Sequence, residues 1–207
     1  MSLSAMQRDM LGEIINIGAG KAAKHLSELL ADAIELRVPV VDLVSFDELS
    51  RLLGIAAEDE VVCIRQVIGG SIDGQILLLF HSGESRQLVE ALIGAQPPGA
   101  AIDMRSFEHE AMTEIGNIVI SACVSAMADF MGSAIRLTMP QYEEGLLEGV
   151  LRQTVQAQAE RQALVMRTSL RAARRAVAGT LILTFSVAEM SALLARLDAA
   201  IAGLLAS

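Results

Sequence analysis

Tryptophan is absent from this chain, tyrosine occurs once, and aromatic residues make up only 3% of it. With a hydrophobic content of 53%, the core must therefore be built from Leu, Ile, Val, Ala and ten Met, a mixture that packs well on helices. Cysteine is equally scarce. Cys63 and Cys123 each sit in apolar sequence, which points to buried reduced thiols and excludes a disulfide framework or a zinc cluster. No apolar run reaches the roughly 18 uninterrupted residues of a spanning helix. The longest, from Ile115 to Phe130, is broken by Gly116, Asn117, Ser121, Ser125 and Asp129, so no membrane insertion is expected. The opening "MSLSAMQRDM" has neither a basic start nor an apolar segment with a small-residue cleavage site, and the expected compartment is the cytoplasm. Positive charge is in deficit as well: a formal net charge of −9 opposes the phosphate-backbone attraction on which nucleic-acid binding rests, so no nucleic-acid partner is expected. The one basic cluster, Arg167, Arg171, Arg174 and Arg175, reads as a solvated β-hairpin tip.

What the chain does contain, it contains twice. "DMLGEIINIG" carries Asp9, Glu13 and Asn16; "EAMTEIGNIV" carries Glu110, Glu114 and Asn117; and Pro39 and Pro140 each follow their Asn by 23 positions. Further on, "DGQILLLF" resembles "AGTLILTF", and the segments after them align Glu84 with Glu189 and Leu88 with Leu193. Two repeats, about residues 5–95 and 106–205, joined by the Gly/Pro linker "GAQPPGAA" near 94–101, account for nearly the whole chain as a single domain, 1–207.

Each repeat opens with a long helical pattern, about 5–31 and 104–131, and passes into a β-branched stretch ending near its proline. A short helix follows, "FDELSRLLG" in one copy and "YEEGLLEGVLRQTVQ" in the other, then a two-strand unit and a terminal amphipathic helix. One repeat alone leaves too much apolar strand face uncovered, so the strands of both should combine in one sheet with helices over it. The fold class expected is α/β or α+β, with pseudo-twofold symmetry.

At 3.6 residues per turn, Asp9, Glu13 and Asn16 share one stripe. Leu11, Ile14, Ile15, Ala22, Leu26 and Leu29 fall mainly on the opposite side, so the polar stripe should face solvent or a partner. Ile115, Ile118, Cys123 and Val124 play the apolar part in the second copy. Gly18 and Gly20 are costly inside a helix, and a close backbone approach at both is expected to compensate. An exposed acid and amide without a nucleophile or metal cluster can still position reactants. Asn offers a donor and an acceptor with which to hold a water in line with a phosphoryl group, while Glu engages a cation on a partner. Phosphoryl transfer needs mainly such orientation and electrostatics.

The spacing of Asp or Ser, three residues, Glu, two residues, Asn, twenty-two residues and Pro resembles the signature of the CheC family of chemotaxis phosphatases, which also includes CheX and FliY types. Asp9, Glu13, Asn16 and Pro39 fit every position; Glu110, Glu114, Asn117 and Pro140 depart only at the first, where Glu replaces Asp or Ser. The resemblance implies a CheC-like fold with a mainly antiparallel sheet under the two motif helices. It implies hydrolysis of the aspartyl phosphate of a CheY-type response regulator, with Glu13, Asn16, Glu114 and Asn117 as catalytic groups, Asp9 and Glu110 in partner docking, and Pro39 and Pro140 as structural positions. The chain should need no cofactor of its own, the magnesium ion being held by the regulator. CheD is a further implied partner, through a surface around 89–99. Two other readings stand beside this one: a noncatalytic adaptor resembling CheC or the FliM middle domain, and a metal-dependent hydrolase using Asp9 and Glu13, for which the chain supplies few ligands.

Overall fold

In a computed structural model of the chain, the residues described are 2–30, 33–93, 103–155, 161–172 and 175–205. Both motif patterns form long helices, α1 (Ala5–Leu30) and α4 (Met104–Met131). Asp103 caps α4: its carboxylate accepts from the Arg105 N–H at 3.2 Å and the Ser106 hydroxyl at 2.8 Å, and these bonds hold its pKa below the ordinary carboxylate value. Gly132, at φ 57°, ends the same helix in the left-handed region that glycine tolerates best.

After α1 come β1 (Ile34–Ser45), α2 (Phe46–Leu53), β2 (Glu60–Gly70), β3 (Gly74–His81) and α3 (Ser82–Ile93). After α4 come β4 (Ile135–Leu137), β5 (Gln141–Leu146), α5 (Leu147–Val155), β6 (Arg161–Ala172), β7 (Arg175–Ser186) and α6 (Val187–Leu205). The strands form one seven-stranded sheet in the order β1-β6-β7-β3-β2-β4, with β5 also paired to β2, and every pairing is antiparallel. Exchanging β1 for β4 and β5, β6 for β2 and β7 for β3 turns that order into its reverse. The linker expected near 94–101 lies outside the described residues, as do Arg174 and the side chains of Arg171 and Arg175.

The central strands are apolar on both sides because both faces are covered. On β3, Ile76, Leu78 and Phe80 enter the main core with the inner faces of α1 and α4, while Leu77 and Leu79 enter a smaller core with Leu49 of α2 and Leu147, Val150 and Leu151 of α5. β2 alternates in the same way: Val62, Ile64 and Ile68 join the main core, Val61 and Cys63 the smaller one. Gln66 occupies the remaining inward-facing place on the α4 side.

Leu11, Ile14, Ile15, Ala22 and Leu26 are buried as their periodicity required, but Leu29 is 53% exposed at the end of α1. A second correction concerns Tyr142–Leu146, which reads as the start of a helix in sequence and is strand β5, paired with β2 from Glu60↔Leu146 to Arg65↔Gln141. Pairing with an adjacent strand overrides local helical character here. Among the described residues α4 is also long and apolar enough to cross a membrane, against the reading from interrupted runs, although 56% of the relevant window is buried inside the molecule.

α1 and α4 cross in backbone contact. A Cβ added to Gly18 would lie 2.7 Å from the Cys123 Cα and 2.8 Å from the Ala122 carbonyl oxygen, whereas a Cβ on Gly20 would meet nothing within 4 Å. The close approach expected at both glycines therefore exists only at Gly18. Gly18→Ala is expected to destabilise the protein by about 1–3 kcal/mol through overpacking. Gly20→Ala should stabilise it by about 0.5–1 kcal/mol by relieving helical glycine. Urea denaturation of both variants measures the pair, and equal effects would contradict this crossing.

Candidate functional site

The prolines explain why each motif joins a helix to a strand. Proline has no N–H and interrupts a ladder. In β1 the pairing with β6 shifts between Arg37 and Val40, so Val38 and Pro39 have no register partner. The shift shows in the burial pattern: Ile34, Leu36 and Val38 face the core, and beyond Pro39 the inward phase moves to Val41. Val38 thus lies on the helix side with its backbone groups released from the sheet, and those groups need partners. Asn16 supplies them: the Val38 N–H donates to Asn16 Oδ1 at 3.0 Å, and Asn16 Nδ2 donates to the Val38 carbonyl at 3.3 Å. Arg8, about two turns earlier, donates from Nε to the Val41 carbonyl at 3.2 Å.

The second motif meets the same interruption differently. Residues 138–140 separate β4 from β5 opposite Gln66 and Val67 of β2. The Thr138 N–H donates to the Val67 carbonyl at 3.0 Å, and its hydroxyl accepts from the Val67 N–H at 2.9 Å. The Thr138 carbonyl accepts from Gln66 Nε2 at 2.8 Å. Asn117 therefore reaches the strand only through Gln66, whose Nε2 lies 3.4 Å from Asn117 Oδ1; the Ser121 hydroxyl donates to the same oxygen at 3.4 Å.

Asp9, Glu13, Asn16, Glu110 and Glu114 are exposed and Asn117 and Pro140 half-buried, so both motif stripes reach the surface as their periodicity predicts. Two shallow concavities run beside the second stripe. One, of about 480 Å3, holds Glu110 with His109, Tyr142, Arg105 and Glu144; the other, of about 350 Å3, lies between α1 and α4 and holds Glu114, Asn117 and Ser121 with Lys21 and His25. Lys21 also contacts Asp129 of α4 at 3.5 Å. Periodicity places His25 away from the first motif, and packing brings it to the second. No single-helix pattern could have signalled that. Gln66 did have a signal, as a polar residue in the inward phase of an apolar strand.

Among the described residues no group of three or more His, Cys, Asp or Glu is arranged to hold a metal, and the Asp9 and Glu13 pair gains no third ligand. Burial pushes the thiols of Cys63 and Cys123 up to about 12, which leaves them poor nucleophiles. The buried ion pair of Arg65 with Glu143, 2.8 Å apart, lies on the opposite sheet face, where Arg65 also donates to the Val150 carbonyl at 3.1 Å.

Comparison with known proteins gives consistent likenesses. The model of the CheC-like family matches residues 6–42, a span that contains the whole first motif. The chain is 29% identical over 169 residues to "CheY-P phosphatase CheC" of Bacillus subtilis (strain 168), covering 79% of each. It is 26% identical over 141 residues to "Flagellar motor switch phosphatase FliY" of the same organism, matching 68% of this chain and 36% of that longer one. Its fold is that of Thermotoga maritima FliY (TM-score 0.72, 18% identity, 97% of this chain and 100% of that one) and of the FliM middle domain from H. pylori (TM-score 0.64, 12% identity, 94% and 99%).

The two asparagines should differ in their effect on stability. Asn16→Ala leaves the Val38 N–H and carbonyl without partners and is expected to cost about 1–3 kcal/mol, more than Asn117→Ala, whose removal orphans no backbone group. Urea midpoints of the two variants decide this, and reversed ranking would count against the Val38 contacts. Tyr142 offers a second check, since the chain has one Tyr and no Trp. Burial first, then the negative charge of Glu144 and Glu108, pushes its phenol up to about 12. Between about 10 and 12 the folded chain holds more protons than the unfolded one, so this group makes stability fall as pH rises through that window. An absorbance titration of the phenolate should place its midpoint well above the ordinary tyrosine value in the folded protein.

Proposed function

We propose that the chain, which resembles the CheC-like family, hydrolyses the aspartyl phosphate of a CheY-type response regulator and so ends a chemotaxis or two-component signal. The observation that carries this reading is a Glu and Asn pair presented twice, one turn apart on a helix, with the Asn16 amide held from behind by the strand that bears Pro39 and the Asn117 amide held by Gln66 of β2. Names of relatives that contain "CheY-P phosphatase" support the substrate class.

In this mechanism Glu13 or Glu114 engages a cation on the regulator, with Asp9 and Glu110 as outer docking acids. Asn16 or Asn117 then orients a water in line with the phosphorus. The water oxygen forms a bond to phosphorus while the bond to the regulator's aspartyl oxygen breaks. Inorganic phosphate leaves, the aspartate carboxylate is restored, and the water's proton goes to the phosphate and solvent. A magnesium ion held by the regulator would supply charge neutralisation at the phosphoryl oxygens, and this chain supplies orientation. The two repeats then form one domain with two copies of the site. A cytoplasmic location follows from such a partner. A CheD-type partner at 89–99 belongs to the same family reading, although 94–99 lie outside the described residues.

One observation favours the second reading, a noncatalytic adaptor: the Asn16 carboxamide already has both ends on Val38. Decay of phosphorylated candidate regulators, with and without the protein, separates the two. The phosphatase accelerates decay, and Asn16→Ala with Asn117→Ala removes roughly 10² to 10³-fold of that acceleration, the usual effect of deleting an aligned polar group. Full turnover by the double variant, with its fold verified by circular dichroism, would sink the assignment.

A further inference from the structure

Among the described residues, a buried glutamine on the central sheet bonds through its side chain only to Asn117 and Thr138 of the second motif. Gln66 is 3% exposed, and its carboxamide oxygen has no hydrogen-bond partner among the described residues. An orphan buried acceptor is costly, and an apolar side chain of similar volume would avoid it. The matching place in the other half, on β6 opposite the register gap at Val38 and Pro39, holds the smaller Thr168, which is 5% exposed. Some advantage must keep a glutamine with an orphaned oxygen in its own place.

The advantage lies in its nitrogen. The Thr138 carbonyl can only accept, so the Gln66 amide nitrogen, 2.8 Å away, has to face it. The second hydrogen of that nitrogen points to Asn117 Oδ1 at 3.4 Å. With its oxygen held inward by Gln66 and Ser121, Asn117 turns its own NH2 outward, where it has no partner among the described residues. Asn117 lines the concavity that also holds Glu114, Lys21 and His25. Gly116 makes the arrangement possible. A Cβ there would lie 2.6 Å from Ile64 Cβ, so the missing side chain lets α4 settle onto β2 two residues from Gln66 and beside Asn117. The first helix carries Ile15 in the corresponding place, and Asn16 is tied directly to backbone.

We infer that Gln66 is a positioning residue of the second site, fixing the Asn117 carboxamide with its oxygen inward and its NH2 toward the visiting phosphoryl group. The catalytic part of this role rests on the phosphatase reading; the orientation itself does not.

Two measurements on the full chain test it. The first follows the side-chain amide signals of Asn117 in 1H–15N spectra, identified by their loss in Asn117→Ala. Gln66→Met, an apolar side chain of similar volume, should move the Asn117 pair toward the position of a solvent-averaged amide and leave the Asn16 pair in place. An unmoved Asn117 pair overturns the proposal. The second follows regulator dephosphorylation in the Asn16→Ala background, where turnover depends on Asn117. Gln66→Met should lower kcat by about tenfold to a hundredfold with KM unchanged, the scale expected for a misplaced reacting group. Gln66→Glu, which keeps the shape but puts an acceptor against two acceptors, should lose as much. Turnover equal to the parent, or an equal fractional loss when Gln66→Met is placed in the Asn117→Ala background, overturns the role of Gln66 alone. If the wild-type protein leaves regulator decay unchanged, the phosphatase reading itself has failed and the catalytic role of Gln66 falls with it.

Discussion

A strand that contains proline cannot close its hydrogen-bond ladder, and where it lies buried under a helix, as Val38 does, the backbone groups it releases cannot turn to water. Both halves of this molecule live under that constraint, and each motif meets it. At Pro39 the sheet slips register and the Asn16 carboxamide takes the N–H and carbonyl of Val38. At Pro140 the strand breaks into two, and Gln66 takes the Thr138 carbonyl and passes the connection on to Asn117. The spacing from Asn to Pro therefore records a physical coupling between helix and strand. A carboxamide at the surface is held from behind by a backbone that has no other partner to offer.

Much of the fold was open to periodicity, because the signal was local and strong. Apolar residues recurring on one face gave both long helices, which end at Leu30 and Met131 close to where their patterns fade. β-branched runs gave the paired strands of each half. Tyr142–Leu146 escaped because its two glutamates, with Leu146 and the following Leu147, read as an amphipathic helix, while the pairing that makes it a strand comes from β2, far earlier in the chain. The paired glycines of α1 look alike in sequence, yet only Gly18 faces Cys123 across the helix crossing.

The candidate site was legible to a similar depth and for similar reasons. Which residues share a stripe follows from helix geometry, so the exposure of Asp9, Glu13, Asn16, Glu110 and Glu114 could be read directly. What stands behind or beside a stripe depends on another element. The tie from Asn16 to Val38, the relay through Gln66 and the arrival of Lys21 and His25 beside Glu114 are all of that kind. The displaced inward phase on either side of Pro39 was the one sequence cue that pointed to released backbone groups.

The same constraint with two solutions gives surfaces of different character. Alanine residues Ala122 and Ala126 hold in α4 the positions that Lys21 and His25 hold in α1, so Lys21 and His25 of the neighbouring helix adjoin the second pair of Glu and Asn. Under the proposed function this matters because the chain carries a formal charge of −9 and its partner would arrive bearing a phosphoryl group. Long-range repulsion slows such an encounter, and exposed ion pairs made by Glu13 or Glu114 add little affinity of their own. In that proposal their contribution would be register, setting the angle at which the amide meets the phosphorus. Weak docking with strict orientation suits an enzyme that must release its regulator after each turnover, since binding energy realised only at the aligned transition state raises kcat without trapping the product.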